Sequence, residues 1–191
     1  MEICCQHHPE CGEDKTVIAL APKLGVFRVV DVKNMCIVEQ QQPSQQDYLT
    51  LSYVWGLVGT LRLRRNNVAH LMLPGALKVQ EHHIPKTIRD SLELVRLLGH
   101  QYIWIDSLCL IEDDPEDLIS GIRVMDVIYE RSILTIIATG DDAGAGLPGV
   151  EEGSRKASQL MEEVRPGVKM AFSFHLGAYL NTSKYSTRGW T

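Results

Sequence analysis

The strongest indication of the fold is the stretch Tyr102-Ile-Trp-Ile-Asp-Ser-Leu-Cys-Leu-Ile-Glu-Asp-Asp114. Its first part, Tyr102 to Asp106, is a short apolar run that ends on a carboxylate, which predicts a buried strand. A hydroxyl group, a thiol group and three further acids follow that strand directly. Open α/β sheets bind their ligands at the carboxyl ends of parallel strands. These polar residues therefore mark a candidate site.

Two other stretches, Tyr48–Gly56 and Ile133–Asp142, have the same layout of an apolar strand followed by polar or turn residues. Apolar residues at helical spacing predict helices over 85–98 and 115–129 between the three strands. The resulting order, β-α-β-α-β with nearly continuous apolar strands, is typical of parallel strands buried on both faces. We predict an α/β fold with a mostly parallel sheet flanked by helices, and a short helix over 66–73.

Outside the three strands and their helices, the sequence predicts a hairpin, an irregular insertion and one further strand. Val26–Val32 and Met35–Glu39 indicate two strands that form a β-hairpin within a variable lead-in, residues 1–47. Residues 151–169 are charged and are expected to form an irregular surface insertion, and Met170–Leu176 indicates a further strand.

Composition narrows the classes of function. The chain has 191 residues, 45% of them hydrophobic and 23% charged, with a net charge of −5, as in ordinary globular proteins. The acidic balance argues against binding to nucleic acid, and the basic cluster Arg62, Arg64 and Arg65 is too small to change that expectation. No apolar run is long enough for a membrane span. Five cysteines without regular spacing and the lack of a signal pattern favour a cytoplasmic protein with reduced thiols.

Five motifs occur in an order and spacing that resemble the fungal heterokaryon-incompatibility (HET) domain, over residues 48–191. They are Leu51-Ser-Tyr-Val-Trp-Gly56, Ile84-Pro-Lys-Thr-Ile-Arg-Asp90, Tyr102-Ile-Trp-Ile-Asp-Ser-Leu-Cys109, Met125-Asp-Val-Ile-Tyr129 and Gly146-Leu-Pro-Gly149. The resemblance implies a domain of non-self recognition systems, which triggers programmed cell death when incompatible cells fuse. The family is also distantly similar to TIR domains, which have a flavodoxin-like fold and in some cases cleave NAD with a glutamate.

Two positions depart from the family pattern. Glu112 stands where the family commonly has Gln, which makes it a poor candidate for a shared catalytic acid. Arg188-Gly-Trp-Thr191 resembles the start of a closing motif that typically continues with an apolar residue, Gln and Glu. We therefore expect the HET domain to be truncated at its C-terminal end, without the glutamate that an enzyme of this kind would use.

Asp106 is the candidate catalytic acid, because it ends the central predicted strand. The alternative is a carboxylate that caps the following turn. At the end of the preceding strand, Trp55 is suited to stacking on an adenine or nicotinamide ring, and Gly56 to a close backbone approach. For Tyr53 and Trp55 the alternative is core packing.

The other candidate ligand-binding residues are Ser107, Asp113 and, in the C-terminal segment, Trp190. Asp114 is a natural N-cap for the second helix, and with Asp113 it forms too small a ligand set for Mg²⁺ or Ca²⁺, so no metal site is predicted. Cys109 is either a nucleophile or a buried inert thiol, and the sequence favours the inert thiol.

Two classes of function follow. The first is a signalling module that acts through protein partners or as a homo-oligomer. The second is an NAD glycohydrolase, in which the crevice around Asp106 binds NAD as substrate and an acid stabilises positive charge as nicotinamide leaves. The sequence favours the signalling role, with no role for nucleic acid and no membrane span.

Overall fold

A computed structural model describes residues 26–40, 47–155, 161–171 and 176–187. Its strands are β1 (Phe27–Asp31), β2 (Cys36–Gln40), β3 (Leu49–Ser52), β4 (Tyr102–Trp104), β5 (Leu134–Ile137), β6 (Met161–Arg165) and β7 (Val168–Ala171). Its α-helices are α1 (Val68–Leu71), α2 (Ala76–Val79), α3 (Lys86–Leu97), α4 (Asp106–Cys109), α5 (Pro115–Arg123), α6 (Met125–Arg131) and α7 (Leu176–Thr182), with 3₁₀ turns at Glu81–His83 and Lys184–Thr187.

The main sheet has five strands in the order β2-β1-β4-β3-β5. Strand β3 lies in the middle of the three parallel strands, with Leu49 opposite both Ile103 of β4 and Leu134 of β5. The helical connections between these strands explain their parallel direction, because a helical crossover returns the chain to the end of the sheet at which the previous strand began. The predicted α/β fold, a sheet flanked by helices, is confirmed.

The predicted N-terminal hairpin forms, and it is part of the main sheet. Strand β1 pairs antiparallel with both β2 and β4. At the turn, Asp31 Oδ1 accepts hydrogen bonds of 2.9 Å from the backbone N–H groups of Lys33 and Asn34. The buried Arg28 side chain of β1 also reaches α5, where it forms a 2.8 Å ion pair with Asp117. The hairpin is thus tied to the rest of the fold by strand pairing and by charge.

The first predicted long helix is confirmed as α3, whose apolar stripe buries Ile88, Leu92 and Val95. The second is wrong as a single helix, since the chain breaks at Val124 into α5 and α6. Val124 has φ −119° and ψ 12°, outside the helical range. At the start of α5, Asp114 is the N-cap, as predicted, and accepts from the backbone N–H groups of the next turn.

Several predicted boundaries require correction. The central strand ends at Trp104, and Asp106 begins α4 instead of ending the strand. The helix predicted over 66–73 is reduced to α1, and Gly75, with φ 82°, is the N-cap of the separate helix α2.

The segment predicted as an irregular insertion contains the antiparallel hairpin of β6 and β7. Its turn includes Gly167, whose φ of 78° suits glycine. The sequence did not indicate this hairpin, because its two strands are exposed, carry mixed charges and lack the alternation of apolar and polar residues that predicts a strand. Strand β7 ends at Ala171, and the rest of the predicted strand over 170–176 lies outside the described residues up to the start of α7.

The core lies on both faces of the main sheet. Tyr53, Trp104 and Leu49 are each at most 1% exposed, and burial of side chains of this size stabilises a fold by roughly 1.5–3 kcal/mol each. Trp104 meets Tyr129 of α6 edge to face, with ring centroids 5.7 Å apart. Within the described part of the chain, no helix is long and apolar enough to cross a membrane.

Candidate functional site

The candidate site is built where β3 and β4 end side by side. Because these neighbouring strands are parallel, the residues that follow them meet at the carboxyl end of the sheet. Trp55 Nε1 donates a 3.0 Å hydrogen bond to Asp106 Oδ2. Tyr53 OH donates a 2.9 Å hydrogen bond to Ser107 Oγ. The structure therefore joins four of the residues that the sequence singled out, and we call these four side chains the strand-end network.

The carboxylate of Asp106 is held at both oxygens. Its Oδ1 accepts a 2.7 Å hydrogen bond from the backbone N–H of Ser107, while its Oδ2 accepts from Trp55. The Asp106 side chain is half-buried, whereas Ser107 has no exposed surface. Each carboxylate oxygen has two lone pairs and can accept from more than one donor. Both predicted roles of Asp106, a local turn contact and a site acid, are compatible with this geometry.

Tyr53 contributes a neutral hydroxyl to this network. Burial raises the pKa of its phenol well above the usual range, and the nearby Asp106 carboxylate raises it further. The phenol consequently stays protonated at physiological pH. It acts as the donor to Ser107 rather than as a base.

Gly56 permits a close approach, and the approaching group is part of the chain itself. Its φ is 67°, and a Cβ at this position would lie 2.4 Å from the Cβ of Asp142. The following residue, Ala143, donates a 3.3 Å backbone hydrogen bond to the carbonyl oxygen of Trp55. The loop after β5 is thereby fixed against the end of β3.

The remaining predicted ligand-binding residues lie apart from the strand-end network. Asp113 is exposed and its Oδ1 accepts a 2.8 Å hydrogen bond from the backbone N–H of Arg65. Its neighbour Asp114 forms an ion pair with the same arginine at 3.1 Å, and that hydrogen-bonded guanidinium lowers the pKa of the carboxyl group. Both acids therefore serve a loop and a helix start. Trp190 lies outside the described residues.

Cys109 has the properties of a buried thiol. It is 1% exposed, and its Sγ accepts a 3.3 Å hydrogen bond from the backbone N–H of Ile105. Burial raises the pKa of the thiol to about 12. A thiol that stays protonated at neutral pH is a poor nucleophile. The structure thus agrees with the inert alternative for this residue.

Arg62 is a member of the site that sequence reasoning missed. Its guanidinium carbon lies 4.9 Å from the ring centroid of Trp55, at the distance of a cation–π contact. The same guanidinium donates to both carboxylate oxygens of Glu112, at 2.9 and 2.8 Å. The only signal in the sequence was the basic cluster around Arg62, with nothing to connect it to Trp55.

The chemistry available here is that of an oriented carboxylate beside an aromatic ring. Asp106 is suited to stabilising a positive charge or to accepting a proton. The indole of Trp55 has Arg62 near it, so part of its surface is already in contact with the chain. Among the described residues, no group of three His, Cys, Asp or Glu side chains is arranged to hold a metal ion.

Comparison with known proteins gives one match. A family model described as heterokaryon incompatibility protein (HET) matches residues 48–191. No curated protein and no solved structure matches the chain, so the likeness to TIR domains stays a prediction. The matched span includes the strand-end network and all three parallel strands, whereas β1 and β2 precede it.

Proposed function

The chain belongs to the heterokaryon-incompatibility family, and from this we propose that it acts in non-self recognition in the cytoplasm and triggers programmed cell death. The observation that carries the proposal is the family match over residues 48–191. The death response is triggered through contacts with protein partners or with further copies of the chain.

A contact surface of this kind needs exposed apolar side chains. The chain presents two such side chains beside the strand-end network. Leu57 is fully exposed in the loop that follows Gly56, and Val58 is 36% exposed. The contact between Gly56 and Asp142 holds the base of this loop. Because the base of the loop is held, less conformational entropy is lost when Leu57 is bound, which supports a role in contacts.

The test is inducible expression of the chain in a filamentous fungus, with dead hyphal compartments counted by a vital dye. We expect induction to raise the dead fraction at least tenfold. Leu57→Asp should reduce this response strongly, whereas Leu73→Asp, at a residue that is 56% exposed in another loop, should leave it unchanged. Induced wild-type chain that accumulates as folded protein without any cell death contradicts the proposal.

A second candidate function is NAD glycohydrolysis, with the death response caused by loss of NAD. The Trp55–Asp106 pair at the carboxyl ends of two parallel strands favours it, because this is where α/β sheets bind ligands. Asp106 would stabilise the oxocarbenium-like charge that forms on the ribose as nicotinamide leaves.

Release of nicotinamide from NAD by the purified chain tests this candidate. We expect Asp106→Asn to lower the rate at least a hundredfold, whereas Asp126→Asn, at an exposed residue of α6, keeps the wild-type rate. Lack of release both by this folded chain and by a form extended with an apolar residue, Gln and Glu, at concentrations that allow self-association, excludes NAD as the substrate. It leaves the contact-based signalling role in place.

A further inference from the structure

A cleft with a volume of about 590 Å³ is lined by residues outside the strand-end network. It is formed by the loop that follows Gly59 and by the 3₁₀ turn at Glu81–His83. Its lining contains no carboxylate, and its polar side chains include Arg62, Arg64, Asn66, Asn67, His82 and His83. We call this feature the basic cleft.

The positive charge of the basic cleft is only partly neutralised. Glu112 pairs with Arg62 through both carboxylate oxygens. For Arg64, His82 and His83, in contrast, no carboxylate of the described segments lies within 4.0 Å of a side-chain nitrogen. The exposed guanidinium of Arg64 therefore lines a concave surface without a counter-charge, beside two imidazole rings, in a chain whose net charge is −5.

The loop that carries these groups is fixed in place. The side-chain amide of Asn67 accepts a 2.8 Å hydrogen bond from the backbone N–H of Arg64 and donates a 2.9 Å hydrogen bond to the carbonyl oxygen of Arg62. The intervening Leu63 is fully buried, and its backbone N–H donates to the carbonyl oxygen of Ser107 at 2.8 Å.

The opposite wall is joined to the same loop. The backbone N–H of Leu61 donates a 2.8 Å hydrogen bond to the carbonyl oxygen of His83. Both walls of the basic cleft are thus held before any ligand binds, which lowers the entropic cost of binding.

We propose that the basic cleft binds a small molecule through a phosphate or diphosphate group. The guanidinium of Arg64 matches the geometry of a phosphate oxygen pair, and the imidazole of His82 adds a further donor, whereas Nδ1 of His83 is hydrogen-bonded to Gln80 Oε1 at 2.9 Å. The volume lies within the range of small-molecule sites, whereas one uncompensated guanidinium with two neighbouring histidines is too little charge for a nucleic acid. This inference goes beyond the proposed function and does not depend on it.

Titration calorimetry of the full chain at low ionic strength tests the proposal, with adenosine diphosphate as the probe and adenosine as its uncharged counterpart. We expect adenosine diphosphate to bind and adenosine not to bind. Arg64→Gln should weaken binding about tenfold or more, the effect of one lost charge-assisted contact. Arg123→Gln, which makes the same charge change at an exposed residue of α5 outside the basic cleft, should change the dissociation constant less than twofold.

Three results would overturn the proposal. The first is the absence of heat for adenosine diphosphate and inorganic phosphate with wild-type protein that melts cooperatively. The second is an equal loss of affinity in Arg64→Gln and Arg123→Gln, which would indicate attraction by overall charge alone. The third is tighter binding of a phosphoserine peptide without other charges than of adenosine diphosphate, which would make the partner a protein. Because none of these measurements uses cell death, they leave the test of the proposed function unaffected.

Discussion

The strand-end network and the basic cleft are neighbours, yet they differ in whether their polar groups are paired within the chain. In the network, the indole of Trp55 meets Asp106 and the phenol of Tyr53 meets Ser107, so donors and acceptors pair within the chain. In the basic cleft, Arg64 has no such partner among the described residues. Buried polar groups are normally paired in any fold. Pairing at a strand end is therefore weak support for a ligand, whereas an uncompensated guanidinium on a held loop that lines a concave surface is stronger support.

The largest predicted effect tests whether the strand-end network depends on the backbone at Gly56. Gly56→Ala should lower the free energy of unfolding by about 2–5 kcal/mol, the sum of about 1–2 for the left-handed backbone and about 1–3 for the contact with Asp142. Gly75→Ala is the matched control, because Gly75 has φ 82° and, beyond its two neighbours in the chain, no described atom lies within 4 Å of the position that a Cβ would take. It should lose only the backbone contribution of about 1–2 kcal/mol. Urea unfolding of both variants measures the difference.

Equal destabilisation by the two glycine variants would show that the Asp142 loop moves away without loss of stability. In that case the network would not be held by its surroundings. Like the exposed side chains of the basic cleft, its residues would then not be held by close packing.

The next effect tests the pairing itself. Ser107→Ala removes the hydroxyl that accepts from Tyr53 in the core, which should lower the free energy of unfolding by about 1–3 kcal/mol. Tyr53→Phe removes the donor in turn. The double variant should be more stable than the sum of the single changes predicts, with a coupling of about 0.5–3 kcal/mol, because it leaves neither partner unpaired. Additive effects would contradict a paired network at this position.

The sequence predicts the part of this comparison that depends on regular structure. The apolar runs that contain Leu49 and Ile103 indicate buried strands, and parallel strands bring their carboxyl ends together. The meeting of Trp55 and Asp106 follows from that rule even though 51 residues separate them. The exact end of β4 did not follow, because a short helix that begins at Asp106 has no apolar periodicity to reveal it.

The basic cleft lay beyond such reasoning. Arg62 and Arg64 were visible as a small basic cluster, and His82 and His83 as neighbouring histidines. Loops have no period from which their contacts can be inferred, so the sequence does not indicate that the two groups face one cleft. The pairing of Arg62 with Glu112, which decides how much charge remains, is equally hidden by its separation of 50 residues.

The smallest predicted effect tests whether removal of an ion pair within the chain adds positive charge to the basic cleft. Glu112→Gln leaves the guanidinium of Arg62 without its carboxylate, and because Arg62 is 37% exposed, stability should fall by no more than about 1 kcal/mol. The basic cleft gains a positive charge, so adenosine diphosphate should bind about two- to fivefold more tightly at low ionic strength.

Asp126→Asn makes the same change in net charge on α6 and should leave the affinity unchanged. The gain in Glu112→Gln should also fade as salt is raised, since the Debye length shortens to about 3 Å at 1 M. Unchanged affinity in Glu112→Gln would mean that Arg62 faces Trp55 rather than the ligand. The phosphate would then be held by Arg64 and the histidines alone, and the two regions would meet at Arg62 without sharing its charge.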